Sequence, residues 1–390
     1  MRHSSAFNNY AASRRLLGIF YVGTIVVFSL VALTTNMAVQ LLGKTDTSTG
    51  EWFKNVLVCT FAFEFASLVF DIAGFGIEKS FNRSTEPLRV YLWKWCRATF
   101  KHALLMLSLV FVLTAAFRIG SYFGLALAVI LFSVLLISKQ VEVARYLSDL
   151  EFDEPSQEMR ATFLQNRPGT IGLVLARNTE FGFTGGIVGL PHAESLVIPQ
   201  SWLYKLTSQE LWAEITRRNA AVTCGSRNRG VYGAITFTTI GVLLSAFLTE
   251  HFLGQSPSTS AGIVNLSLVF TLWSFMGLLL LPFLSQRGVI EVDQKAMAKG
   301  VSKDLLRQTA EKIDAQMEDE KERSDTVQFI FHPIPTTKRR MSYVEHGTMS
   351  GAWQVARYAV YLSIVGLGLL GRAVHCNAGK FELWSMLPAD

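Results

Sequence analysis

The sequence predicts an α-helical integral membrane protein of six spans, or seven if residues 358–371 also cross, carrying a small α+β domain assembled from two polar segments. Three observations lead there. Half of the 390 residues are apolar and only 17% are charged, too few charges for an ordinary soluble enzyme. The apolar residues fall in runs long enough to cross a hydrocarbon core, which takes about 20 helical residues. Lysine and arginine are concentrated on alternate connections between those runs.

An N-terminal membrane module, 1–138, comes first. Residues 16–42 carry no charge and form the first span. Residues 55–77 form the second, with Glu64 and Asp71 on one helical face. Carboxylates inside a span are costly, so this pair either belongs to a proton or ion path or is matched by a partner within the bundle. Residues 103–138 hold one charge, Arg118, followed by Gly120-Ser121, and read as two short spans joined by a tight turn.

The first polar segment, 139–230, opens with a helix near 139–150 and a linker around Glu151–Glu158. Short strands are expected at 171–177 and 195–199, flanking the Gly-rich stretch Gly182 to Gly189, with Pro191-His192 in a turn. Thr207 and Glu210 form a capping box, opening a helix from about Ser208 to Cys224 that stops at Gly225. Residues 231–249 and 263–284 are two further spans, a hairpin (231–284) joined by the Gly254–Gly262 loop. The second polar segment, 285–354, continues as a helix over 286–300. An amphipathic helix follows at 301–323, with Leu305, Leu306, Ile313 and Met317 near one face, expected to lie on the domain. The apolar tail, 355–390, contains the 14-residue run between Arg357 and Arg372, which spans only if both arginines snorkel.

Arg14 and Arg15 precede the first span, and the 78–101 loop carries Lys79, Arg83, Arg89, Lys94, Arg97 and Lys101. The 43–54 and 254–262 loops are nearly free of positive charge. The positive-inside rule then puts the N-terminus and both polar segments on the cytoplasmic face, with a bacterial inner membrane expected and an organellar inner membrane the alternative. The net charge of +6 is mostly this topological signature. No basic, aromatic-bearing face suited to nucleic acid appears; Trp93 and Trp95 read as interfacial anchors. The four scattered cysteines include no Cys-x-x-Cys and read as free thiols.

The stretch Val197-Ile198, Trp202-Leu203 and Leu206-Thr207-Ser208-Gln209-Glu210-Leu211 resembles the active-site region of the HtpX-like and CAAX-prenyl-protease-like membrane zinc metallopeptidases. Two spans follow, then Val289-Ile290-Glu291-Val292-Asp293 with Ala296, then His332-Pro333 and Lys338-Arg339-Arg340, in the order that family shows. The resemblance covers roughly residues 170–345. It implies a metallopeptidase-like domain in which two histidines at i and i+4 and a carboxylate from another helix hold Zn²⁺, beside a glutamate that activates water. In that register Arg217 and Ala221 stand at the histidine positions, Arg218 at the general base and Val289 at the third ligand. The family's metal site is therefore degenerate here, and no cofactor is expected. None of the seven histidines forms an i,i+4 pair; a relocated zinc would need long-range convergence, of His192 and His332 for example.

Two expectations follow for the site. Arg217 or Arg218 reaches Glu291 or Asp293, a salt bridge in place of the metal, or both arginines face solvent in an open cleft. Phe183, Thr184, Gly185, Gly186 and Ile187 occupy the edge strand on which the family pairs an extended substrate, so they either bind a peptide or form a flexible hairpin. The functional expectation is a catalytically inactive pseudopeptidase serving as a binding or scaffolding subunit. Its partners are the lipid bilayer, other membrane subunits and an extended peptide. The alternatives are an active zinc metalloendopeptidase with displaced ligands, and a transporter-like or structural bundle.

Overall fold

The computed structural model describes residues 9–148, 150–156, 171–177, 183–317, 323–344, 349–374 and 376–384. Gly182, the end of the expected linker at Glu158, positions 318–322 of the expected amphipathic helix, and His3, His346 and His375 lie outside the described residues. The chain divides into two compact units. One comprises Met1–Leu135, Ile235–Gly277 and Ala359–Trp384, the other Leu136–Ala234, Leu278–Tyr358 and Ser385–Asp390.

Among the described residues, five helices are long and apolar enough to cross a membrane: Tyr10–Thr34, Thr49–Ser80, Leu88–Ser138, Ser226–His251 and Ser260–Ala298. The chain is an integral membrane protein. Leu88–Ser138 is not one rod. Ser121 has φ 50° and ψ −137°, which breaks the helix. A Cβ on Gly124 would lie 2.3 Å from the Ala116 carbonyl oxygen, an approach that requires the chain to double back. The break falls where Gly120-Ser121 predicts the turn. Asp46 starts the Ser260–Ala298 helix from a distant loop, accepting from the Ser260 amide at 2.8 Å and its hydroxyl at 2.5 Å.

The tail differs from a seventh span. Residues 356–362 make a seven-residue helix, followed by a 3-10 turn at Ser363–Gly366. This is far short of a crossing, and Arg372 does not snorkel. It is buried and pairs with both Glu64 and Asp71. The first unit's helices also supply polar groups to the irregular tail backbone. Asp71 accepts from the Gly379 amide at 2.8 Å, Arg14 donates to the Ala378 carbonyl at 2.7 Å, and Ser267 donates to the Leu367 carbonyl at 2.6 Å. Non-helical backbone at membrane depth needs this kind of internal satisfaction. Trp95 corrects the anchor reading too: it is buried, donating to Asp71 at 2.8 Å, whereas Trp93 is exposed. The Asp71 carboxylate draws the indole inward.

Among the described residues the second unit contains a four-stranded sheet of β1 (Glu151–Asp153), β2 (Gly172–Arg177), β3 (Gly186–Val188) and β4 (Ser195–Pro199), in the order β1-β2-β4-β3. β2 pairs parallel with β4, where the two strands were expected. β1 replaces part of the expected linker, pairing antiparallel with β2 while Arg177 bonds Asp153 at 2.6 Å. β3 is the edge, antiparallel to β4. The Ser208–Thr223 helix opens with the Thr207–Glu210 capping box and ends before Gly225, whose φ is 76°. Its Leu211 packs with Ile313 of the Lys303–Met317 helix over Ile198 and Trp202, while Ala213 meets Leu306. That burial holds the helix across the sheet. Among the described residues none of the four cysteines forms a disulfide.

Candidate functional site

The Ser208–Thr223 helix brings Glu214, Arg217, Arg218 and Ala221 into the interior of the second unit, each no more than 5% exposed. Arg217 makes a bidentate pair with Glu214, through Nε and Nη2 at 2.9 Å each. Arg218 donates its Nε to the same carboxylate at 2.8 Å, its Nη1 to the Val197 carbonyl at 3.1 Å and its Nη2 to the Thr184 carbonyl at 2.7 Å. Its guanidinium also lies 4.9 Å from the centre of the Trp202 ring. All three of its nitrogens are engaged, so Arg218 staples the helix to the sheet. Burial pushes the Glu214 carboxyl up, but the two guanidinium charges and their hydrogen bonds outweigh it and bring its pKa down to about 2.

The carboxylates expected to receive these arginines have other partners. Asp293, fully buried, takes two bonds from Arg340 at 2.8 Å each. That pairing raises the Arg340 pKa against the opposing effect of burial. Glu291 accepts from Arg229 at 3.2 Å and from the Ala352 amide at 2.9 Å. The expected bridge from Arg217 or Arg218 is thus replaced by one from Arg340 and one from Arg229. The open-cleft alternative fails as well, since both arginines are buried. The reason is local. Glu214 sits three and four residues before the two arginines, on their own helical face, and reaching it costs no excursion across the cleft.

Ala221 packs with Ala220, Ile187, Leu196 and Val292 in an apolar cluster, and Val289 is 2% exposed. These side chains have no atom that binds zinc, and the two neighbouring arginines carry positive charge. The residues at this position therefore do not fit a zinc ion. Among the described residues, no group of three or more His, Cys, Asp or Glu side chains is placed to hold a metal, and that includes His192 and His332.

The Phe183–Ile187 stretch ends in the edge strand, but its backbone is heavily used from within. Besides Thr184, the Ile187 carbonyl accepts from the Tyr358 hydroxyl at 3.1 Å, and the Gly189 carbonyl from Arg227 at 2.5 Å. Thr184, Gly185, Gly186 and Ile187 are buried, and Phe183 is half-buried. Arg227, wholly buried, also donates to Tyr358 at 2.9 Å and faces Glu194 at 3.4 Å.

Sequence reasoning missed Glu214, Arg227, Arg229 and Arg340. The i, i+3 and i, i+4 spacing could have revealed Glu214, and Arg340 lay in a basic run already noted. Nothing local marks the pairing of Arg227 with Tyr358.

In the first unit, Glu64 and Asp71 are fully buried, and Arg372 lies between them. His102 Nδ1 is 2.7 Å from Glu64. Both carboxylates are matched by partners inside the bundle.

No protein-family model and no curated protein sequence matches the chain. Among solved structures it is similar to the crystal structure of S. mikatae Ste24p, with a TM-score of 0.61 and 11% sequence identity, covering 86% of this chain and 83% of that one. The chain has a Ste24p-like fold.

Proposed function

We propose that the chain is a catalytically inactive membrane metallopeptidase homologue, a pseudopeptidase that acts as a binding or scaffolding subunit of a membrane complex. The Ste24p-like fold and the CAAX-prenyl-protease-like stretch at 198–221 both support the peptidase ancestry. The observation that carries the loss of activity is Arg218. In the position of the general base stands a cation whose three nitrogens are spent on Glu214, the Val197 carbonyl of the sheet and the Thr184 carbonyl just before the edge strand. A water held there would meet a donor, not a base. Arg217 and Ala221 at the histidine positions, and Val289 at the third-ligand position, complete the replacement. The polar unit is assigned to the cytoplasmic face, as the positive-inside reading has it.

The ion pair of Arg372 with Glu64 and Asp71 weighs against the transporter-like alternative, because both carboxylates have a fixed structural partner. The test is an endopeptidase assay on full-length protein purified in detergent, using quenched fluorescent peptides with and without a zinc chelator. No chelator-sensitive cleavage is expected. Cleavage that the chelator abolishes, and that Arg218→Ala leaves in place, would sink the proposal.

A further inference from the structure

The second unit holds a stretch of its own chain in the manner of a bound peptide. Residues 352–355 have no regular secondary structure, and their backbone is recognised by groups on two helices. The Ala352 amide donates to Glu291 at 2.9 Å and its carbonyl accepts from Arg229 at 2.8 Å. The Gln354 amide donates to the Ser226 carbonyl at 3.2 Å, and the Val355 and Ala356 amides share the Ser285 hydroxyl at 3.1 and 2.9 Å. Tyr358, 1% exposed, then reaches the edge strand at Ile187 and joins it to Arg227. Main-chain hydrogen bonds are what give affinity for extended peptides, and here they come from side chains and a carbonyl on the two helices.

The helices are cut away to admit this strap. A Cβ on Gly230 would lie 2.1 Å from the Gln354 carbonyl oxygen, and one on Gly288 2.6 Å from the Gln354 side chain. Both glycines sit inside helices, where glycine costs about 1 kcal/mol relative to alanine, so their presence answers to the strap and not to the helix. The strap also adjoins the degenerate site. Ser226, which binds Gln354, is 3.4 Å from the Ala221 carbonyl, and Glu291 lies two residues from Val289.

We propose that residues 349–358 are a built-in occupant of the peptide groove, so that the groove accepts an extended peptide of the strap's own chemistry only when the strap is displaced. This rests on the peptidase-like reading for the identity of the groove. Along Thr184–Gly189 the strap supplies Tyr358 to the Ile187 carbonyl, while Arg218 and Arg227 take the Thr184 and Gly189 carbonyls.

The experiment uses the full-length protein in detergent and a fluorescein-labelled synthetic peptide of residues 350–358, with a scrambled peptide as control. Tyr358→Ala and Gln354→Ala remove side chains that anchor the strap and leave the helices lining the groove unchanged, so the wild-type peptide still fits there. Apparent affinity rises in proportion to the fraction of molecules with a vacant groove, so each variant should bind the peptide about tenfold more tightly than the wild type. Equal binding by wild type and both variants overturns the strap proposal and leaves the pseudopeptidase reading untouched. Peptide recovered cleaved from a tightly binding variant has the opposite meaning: the groove stands and the inactive reading falls. If neither variant folds, hydrogen exchange on the wild type decides. Slow exchange at Ala352, Gln354 and Val355 is expected, and exchange at free-peptide rates overturns the proposal.

Discussion

Arg340 closes both oxygens of Asp293, with Nε on Oδ2 and Nη2 on Oδ1, each at 2.8 Å. The two residues join the Thr337–Val344 helix to the C-terminal end of the Ser260–Ala298 helix.

Breaking that pair on one side strands a buried charge. Asp293→Asn or Arg340→Met should each cost about 3–5 kcal/mol, read as a lower unfolding midpoint in detergent. The combined Asp293→Leu and Arg340→Met variant should recover most of the loss, because desolvation consumes much of what a buried pair gains. A double variant as unstable as the singles would show that the pair fixes more than its own geometry.

Glu214 makes stability depend on acid. Its pKa is lowered from the usual 4.5 to about 2 in the folded chain, so its contribution is complete above pH 4.5 and is lost as the pH falls towards 2. The unfolding midpoint of the wild type should therefore drop across that window. Glu214→Gln should start lower and show a shallower decline, measured by the same melts at pH 5, 4 and 3.

In the membrane unit, Arg372→Met leaves Glu64 and Asp71 without their shared cation and loosens the tail that Gly379 ties to Asp71. The expected result is a loss of about 3–5 kcal/mol and faster C-terminal proteolysis. Adding Glu64→Gln and Asp71→Asn should restore part of it. A triple variant that folds normally yet loses a measurable ion or proton flux would revive the transporter reading.

Local signals in the sequence identified the parts of the fold that depend on local chemistry. The Thr207–Glu210 box, the Gly225 stop and the strands at 171–177 and 195–199 are set by residues next to one another. The break at Ser121 followed from the Gly120-Ser121 pair. What stayed hidden depends on groups far apart in the chain. A seventh span requires Arg372 to snorkel, and nothing near Arg372 shows that Glu64, more than 300 residues earlier, accepts it instead. Trp95 was read as an anchor because the carboxylate that draws it inward lies on another helix. At the site, arginine and alanine at 217, 218 and 221 are legible in the sequence, but the choice of partners is not. Glu214 competes from the same helix, and Arg340 arrives from a helix beyond the last span.

The most direct measurement is the zinc content of the full-length protein, purified without chelators from zinc-supplemented cells, determined by elemental mass spectrometry against protein concentration. The account predicts zinc well below one atom per chain and an unfolding midpoint unmoved by chelator. One zinc per chain, lost together with stability on chelation, would contradict it.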